Sequence, residues 1–323
     1  MNHPTRSDDP VSGQLPHIGL LRFTGPDAAA FLQGQLSNDT RRLSAGAPVL
    51  AAYSSPQGRV VAVLHLLPHS SGIIALLPRE IVLPTLERLR KYVLRAKVHI
   101  EDASGQFKVM GRHGTESFSF GELSIPDAAQ GYEERNGIGV ARVGADPGRY
   151  WVIGTPQDLA QQRIDGGDPV QADLPRRIEH DWRLADIRAG LPQVYAATRE
   201  MFVAQMLNLD LIDGISFTKG CFTGQEIVAR TQHLGRIKRR LFRLRLPPGT
   251  WAVGQSVHLR DGRSGRLTEL AEADSEFEAL AVLNMEAGAP GAAGAAEGEV
   301  ESPASALVDA TELPLPYPLV SPA

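Results

Sequence analysis

The chain has little of what disulfide-bonded, cluster-holding or membrane proteins depend on. It has one cysteine, Cys221, among 323 residues. No internal disulfide can therefore form, and an iron–sulfur centre, which takes about four protein ligands, cannot be held by this chain alone. No segment approaches the roughly 18 uninterrupted apolar residues of a membrane span. The stretch 1–14 is polar and proline-bearing and lacks the apolar centre of a secretory signal. These absences make a cytoplasmic protein without a membrane partner the expectation, with 1–14 as a disordered leader. The formal net charge of −4 argues against indiscriminate nucleic-acid binding by the whole surface, while leaving room for a local basic patch. What the chain does have, 42% hydrophobic and 22% charged residues, is the composition of a globular protein. Its length suffices for two or three domains with their own cores.

Taken in order, 18–23 reads as a strand, and Gly25-Pro26-Asp27 opens a helix whose Ala28, Phe31, Leu32 and Leu36 share one face. The turn-prone run from Gly34 to Asp39 is either a helix stop or a ligand-facing loop. Strands at 49–53 and 59–67 meet through Pro56-Gln57-Gly58, and 72–77 is a third. Over 78–93 the stripe Val82, Leu86, Leu89, Val93 predicts a helix that Pro84 must kink or delay. Around it Arg88, Arg90, Lys91, Arg95 and Lys97 read as a solvated face rather than a nucleic-acid surface. Strands at 107–111, 137–143 and 150–153 and a helix at 156–164 repeat the earlier strand, strand, helix order, as a duplicated α/β module would; 165–168 is a linker. The strongest helix runs over 174–189, with Ile178, Trp182, Ala185 and Ala189 on one face, Asp173 able to cap it and Gly190 with Pro192 ending it.

Beyond it, 241–246 alternates, with Phe242, Leu244 and Leu246 opposite Arg243 and Arg245. After Pro247-Pro248-Gly249, short strands at 256–260, 265–270 and 276–283 predict a small antiparallel barrel. The Gly/Ala/Glu-rich stretch 286–305 reads as a flexible insertion, after which 306–317 returns as a last strand. The fold class is thus α+β: the leader, a core over 15–235, and a barrel domain over 236–318.

The chemistry points to Ser216 through Arg230. A lone cysteine is ordinarily a small buried hydrophobe. Here Cys221 lies between Gly220 and Gly224, two residues after Lys219 and just before Gln225-Glu226. With a strand end at 215–218 and a helix opened by Gly224, the thiol sits ahead of a helix N-terminus, where unpaired N–H groups favour negative charge. In extended chain Lys219 and Cys221 share a side, and both effects favour the thiolate. Cys221 is therefore the candidate reactive group and Lys219 its electrostatic partner. Gln225 and Glu226 are either ligand contacts or the cap of the next helix. Trp182 by pattern alone is a core residue. Arg236, Lys238, Arg239 and Arg240 form the densest basic cluster, facing water, an anionic ligand or a phosphate backbone.

Lys219-Gly220-Cys221-Phe222-Thr223-Gly224-Gln225-Glu226 resembles the K-G-C-[FY]-x-G-Q-E signature of the YgfZ family, folate-binding proteins linked to iron–sulfur maintenance and tRNA modification and related to the glycine-cleavage T-protein. Phe31 to Leu36, Lys91-Tyr92-Val93, Trp182 to Pro192, Gln205 to Asp210 and Leu315-Pro316-Tyr317 extend the likeness along the chain. The resemblance implies a T-protein-like folate-binding core with the barrel beside it, tetrahydrofolate or a derivative as cofactor, and Trp182 stacked on the pterin with Gln225 and Glu226 nearby. It also implies partners among iron–sulfur proteins or their assembly factors, and tRNA as a candidate ligand of the 236–240 cluster. No metal is expected on this chain alone. No stretch supplies a counterpart of the T-protein's catalytic carboxylate, so an accessory role, a folate-dependent one-carbon transferase and a non-catalytic binding module all stand as readings.

Overall fold

A computed structural model describes residues 11–113, 131–143, 148–161, 174–233, 237–286 and 307–319. In chain order its elements are β1 (Val11–Gln14), β2 (Ile18–Thr24), α1 (Ala28–Gln35), β3 (Val49–Ser54), β4 (Val60–His69), β5 (Gly72–Pro78), α2 (Val82–Arg90), β6 (His99–Asp102), β7 (Lys108–His113), β8 (Tyr132–Arg135), β9 (Ile138–Arg142), β10 (Arg149–Gly154), α3 (Pro156–Gln161), α4 (Leu174–Ala189), α5 (Gln225–His233), β11 (Arg239–Leu246), β12 (Ser256–His258), β13 (Ser264–Ala273), β14 (Glu276–Asn284) and β15 (Thr311–Leu313). They fall into two compact units. The first comprises 1–32, 40–49 and 65–182, the second 33–39, 50–64 and 183–323.

In the first unit β1, β7, β10, β9 and β8 form one antiparallel sheet in that order. β1 lies inside the stretch expected to be a disordered leader: the chain pairs from Val11 onward, Val11 opposite His113. A second set of pairings joins the end of β4 to β5, β5 to β2 and β2 to β6. α2 begins at Val82 after a 3-10 turn over Arg79–Ile81, so Pro84 falls in the first turn, where no intrahelical N–H is required, and the helix needs no kink. Val82, Thr85, Leu86 and Leu89 are its buried stripe. The expected linker at 165–168 and the Asp173 cap lie outside the described residues.

In the second unit β11 is buried on both faces. Leu241 joins a cluster with Leu207, Leu209 and Ile187, while Phe242, Leu244 and Leu246 join another with Val257, Leu267 and Ala281. The C-terminal strands form a five-stranded sheet in the order β12-β13-β14-β11-β15. The expected barrel is not closed by this ladder. A single parallel bridge, Leu259 with Val308, is the only pairing beyond it among the described residues of this region. The insertion expected at 286–305 lies, from 287 on, outside the described residues.

α4 ends as the sequence requires. Gly190 adopts φ +63°, its N–H donates to Ile187 O at 3.1 Å and that of Leu191 to Asp186 O at 3.0 Å, the paired bonds of a Schellman cap. A Cβ on Gly190 would come within 2.7 Å of Leu315 Cδ2 and Tyr317 Oη. The Tyr317 hydroxyl donates to Gly190 O at 2.7 Å. The Leu-Pro-Tyr motif near the C-terminus thus docks on this helix end.

Candidate functional site

The cysteine loop belongs to the second unit and is built on the turn segment 33–39. Ser37 anchors it. Its N–H donates to Ala52 O at 2.9 Å, its hydroxyl donates to Gly214 O at 2.6 Å and accepts from Ala52 N at 2.8 Å, and its carbonyl accepts from Ser216 N at 2.9 Å. Asn38 Nδ2 donates to Leu50 O at 2.9 Å and Asp213 O at 2.6 Å. Both side chains are buried, as polar groups are when every bond finds a backbone partner. Farther along, Thr223 N donates to Gly34 O at 3.3 Å, and Thr223 Oγ1 lies 3.3 Å from Gln35 Oε1.

Lys219 and Cys221 part company at this loop. Cys221 is exposed, while Lys219 is 5% exposed. The chain here is bent rather than extended, so the shared side expected of residues two apart is not formed. The Lys219 ammonium donates to Gln33 O at 2.6 Å, Leu36 O at 2.6 Å and Asn38 O at 3.2 Å, and stands 5.0 Å from the centre of the Phe222 ring. Three carbonyls match the three donors of an ammonium, offsetting the cost of removing it from water. Residue spacing carries no sign of these acceptors, since a backbone carbonyl leaves no mark in residue identity.

Of the two glycines around the thiol, only Gly224 needs to be one. It adopts φ +80°, and a Cβ there would lie 2.6 Å from Ser55 O and 2.9 Å from Gly58 Cα. Gly220 has open space around it. Gly58 is likewise left-handed, with its Cβ position 2.7 Å from Ile227, so the Pro56-Gln57-Gly58 turn lies directly against α5. α5 starts at Gln225, four residues after the cysteine, with Glu226 exposed in its first turn, where the helix dipole favours a carboxylate.

Trp182 lies in the first unit and is 2% exposed. The Arg149 guanidinium stands 5.1 Å from the centre of its ring, on the sort of surface expected to stack on a ligand. Trp151 sits 6.1 Å away, tilted by 32°, and His65 meets Trp151 edge-on at 4.8 Å. A Cβ on Gly111 would come within 2.8 Å of Trp182 Cε3, so only glycine allows the strand this close. The indole nitrogens of Trp151 and Trp182 are both buried without an acceptor among the described residues. An unmet buried donor costs about 1–3 kcal/mol, which makes two together notable. Loss of water around His65, together with Arg149, pushes its pKa from 6.5 down to about 4, so the imidazole is neutral at physiological pH. Sequence reasoning found Trp182 and missed Trp151, Arg149, His65 and Gly111, which reach it from β10, β4 and β7.

The basic cluster is dispersed by the fold. Arg240 is 1% exposed. Its Nη1 donates to Asp210 Oδ1 at 2.6 Å and to Gln205 O at 2.9 Å, and Nη2 donates to Asp210 Oδ2 at 2.9 Å, so it is not available to a phosphate. Arg239 Nε donates to Asn284 Oδ1 at 2.9 Å, Lys238 is exposed, and Arg236 lies outside the described residues. Among the described residues no group of three or more His, Cys, Asp or Glu is arranged to hold a metal ion, and no helix is long and apolar enough to cross a membrane.

Comparison with known proteins fits this geometry. No family model matches the sequence. The tRNA-modifying protein YgfZ of Colwellia psychrerythraea is 30% identical over 71% of this chain and 69% of its own length. That of Edwardsiella ictaluri is 30% identical over 76% of each. Among solved structures, the glycine cleavage system aminomethyltransferase T of Bartonella henselae superposes with a TM-score of 0.55 over 85% of this chain and 78% of that one, at 12% identity, which shows a shared fold. With the K-G-C-F-T-G-Q-E loop in place and relatives at this identity along most of its length, the chain belongs to the YgfZ family.

Proposed function

We propose that this protein is a folate-binding accessory factor that supports iron–sulfur cluster assembly or repair, including in enzymes that modify tRNA, with Cys221 as its reactive group. The observation that carries the reading is an exposed thiol on a loop fixed from beneath, with Lys219 bonding three carbonyls of 33–38 and Gly224 packed on Ser55. A thiol held on a fixed backbone can meet a partner's metal or sulfur without ordering a flexible arm. One thiol is one ligand of the about four a cluster takes, so a cluster is cargo shared with a partner protein or small thiols. Relatives named tRNA-modifying proteins support the link to tRNA modification. A cytoplasmic setting, where a lone thiol stays reduced, belongs to the same reading.

Tetrahydrofolate or a derivative is the cofactor the family resemblance implies, and we place it with the two tryptophans of the first unit. Two buried indole N–H groups without acceptors among the described residues support this, being donors of the kind that the ring nitrogens and carbonyl of a pterin accept. Trp182 and Trp151 would hold such a group through those donors, and neutral His65 would add no charge. When bound, a reduced folate supplies one-carbon chemistry. Gln225 and Glu226 follow the thiol at the head of α5, and Lys219 sets the shape of its loop.

Titration of the purified protein with reduced folates, followed by tryptophan fluorescence, tests the cofactor. Saturable quenching that weakens in Trp182→Phe is expected, and its absence in the wild type removes folate from the reading. In cells lacking the protein, Cys221→Ser should fail to restore iron–sulfur enzyme activity. The fold shared with an aminomethyltransferase supports a second reading, folate-dependent group transfer. Product formation from tetrahydrofolate and an aminomethyl donor that survives Cys221→Ser would favour it.

A further inference from the structure

The segment from Arg79 to His99 carries six lysines and arginines against two glutamates, on a chain whose formal net charge is −4. It also leaves apolar side chains in water: Leu83 is 59% exposed, Tyr92 37% and Leu94 85%. Of the six large apolar residues exposed among the described residues, three lie here, within twelve positions of one another. A solvated basic face needs no such residues, and their clustering among cations marks a surface made to be covered.

The backbone that presents them is fixed. α2 buries Val82, Thr85, Leu86 and Leu89, which turns Leu83, Glu87 and Arg90 outward. Tyr92 N donates to Leu89 O at 3.0 Å and Val93 N to Arg90 O at 3.1 Å. Arg90 ties the turn to β6 through Ile100 O, at 2.7 Å from Nη2 and 3.2 Å from Nε. At the far end Lys97 N donates to Asp27 Oδ2 at 2.6 Å and Asp27 N to Lys97 O at 3.3 Å. Lys91, Tyr92, Leu94, Arg95 and Lys97 therefore project from a turn held at both ends, and all five are exposed.

We infer that this face of the first unit docks RNA, with Lys91, Arg95 and Lys97 on backbone phosphates and Tyr92, flanked by Leu94, against an unpaired base. Alternation of cations with an aromatic ring and an aliphatic side chain suits a polymer that alternates phosphates with flat rings. A bilayer fits less well, because the apolar stripe of α2 is already buried within the protein and cannot enter lipid. The inference does not depend on folate binding or on Cys221.

The test uses the full chain and a fluorescein-labelled, unmodified tRNA transcript, followed by anisotropy between about 50 and about 200 mM salt. Replacing Lys91, Arg95 and Lys97 together by Gln should weaken binding at least about tenfold and lower the slope of log affinity against log salt by about 2 to 3. Tyr92→Ala should weaken binding about five- to hundredfold at unchanged slope, and leave a fully paired RNA duplex unaffected. These side chains are exposed, and matching thermal unfolding midpoints will show that the variants fold. Equal affinity of wild type and the triple variant overturns the proposal. So does binding to phosphatidylserine vesicles, or to an acidic polypeptide such as polyglutamate, with no binding to the transcript.

Discussion

Lys219 Nζ and the carbonyl oxygen of Leu36 stand 2.6 Å apart, joining residues 183 positions distant in sequence. The bond makes the lysine of the K-G-C motif a tie between the thiol loop and the turn 33–38. Lys219→Met should remove three charge-assisted bonds and leave buried carbonyls unmet, costing about 3–5 kcal/mol of stability. Urea unfolding measures this. A loss under about 1 kcal/mol would mean that these bonds do not hold the loop.

Gly224 and Gly220 flank the cysteine alike in sequence but not in structure. Gly224→Ala places a methyl group in left-handed backbone and against Ser55 O, with an expected cost of about 2–4 kcal/mol. Gly220→Ala meets nothing within 4 Å and should stay within about 0.5 kcal/mol of wild type. Paired denaturation curves decide between them, and equal losses would contradict the packing described for Ser55 and Gly58.

Those two glycines also show where sequence reading stops. Local signals were legible: the α4 stripe at Ile178 and Trp182, its stop at Gly190, and the alternation of β11 all depend on neighbours a few positions away, while Asp186 and Ile187 rather than Ala185 and Ala189 are buried in the second half of α4. The cysteine loop could be found because its residues are contiguous. What could not be read is long-range partnership. Nothing in Lys219 points to the carbonyls of Gln33 and Leu36, and nothing in the run from Arg236 to Arg240 tells a buried arginine from exposed Lys238. Trp182 stood out by type, yet the residues that surround it come from strands scattered through the first unit and carry no shared spacing. Whether the edges of the C-terminal sheet meet was not legible for a related reason, since strand count alone does not fix it.

Arg240 and Asp210 form a bidentate pair, 1% and 7% exposed at their side chains. Breaking one partner strands a buried charge, so Arg240→Met or Asp210→Asn should cost about 3–5 kcal/mol. Replacing both with apolar residues should recover much of that loss. Lys238→Gln, at an exposed site, should change stability by no more than about 0.5 kcal/mol. A double-mutant cycle by chemical denaturation checks all three. If Arg240→Met were silent for stability and weakened tRNA binding instead, the assignment of Arg240 to the protein interior would be wrong.

His65 gives the molecule a built-in acid sensitivity. Its folded pKa of about 4 lies below the ordinary 6.5, through loss of water around the ring and the nearby positive charge of Arg149. Between those two values the unfolded chain binds a proton that the folded chain refuses, so stability rises with pH across this window and is complete above it. Acidification from about pH 6.5 to about pH 4 should therefore remove up to about 3 kcal/mol through this residue. In His65→Phe that contribution vanishes, and the stability of the variant should fall less steeply over the same range. Guanidinium unfolding at stepped pH measures the two slopes. Parallel curves would show that the imidazole titrates as freely in the folded protein as in the unfolded chain, and the packing of His65 against Trp151 beside Arg149 would then have no electrostatic consequence.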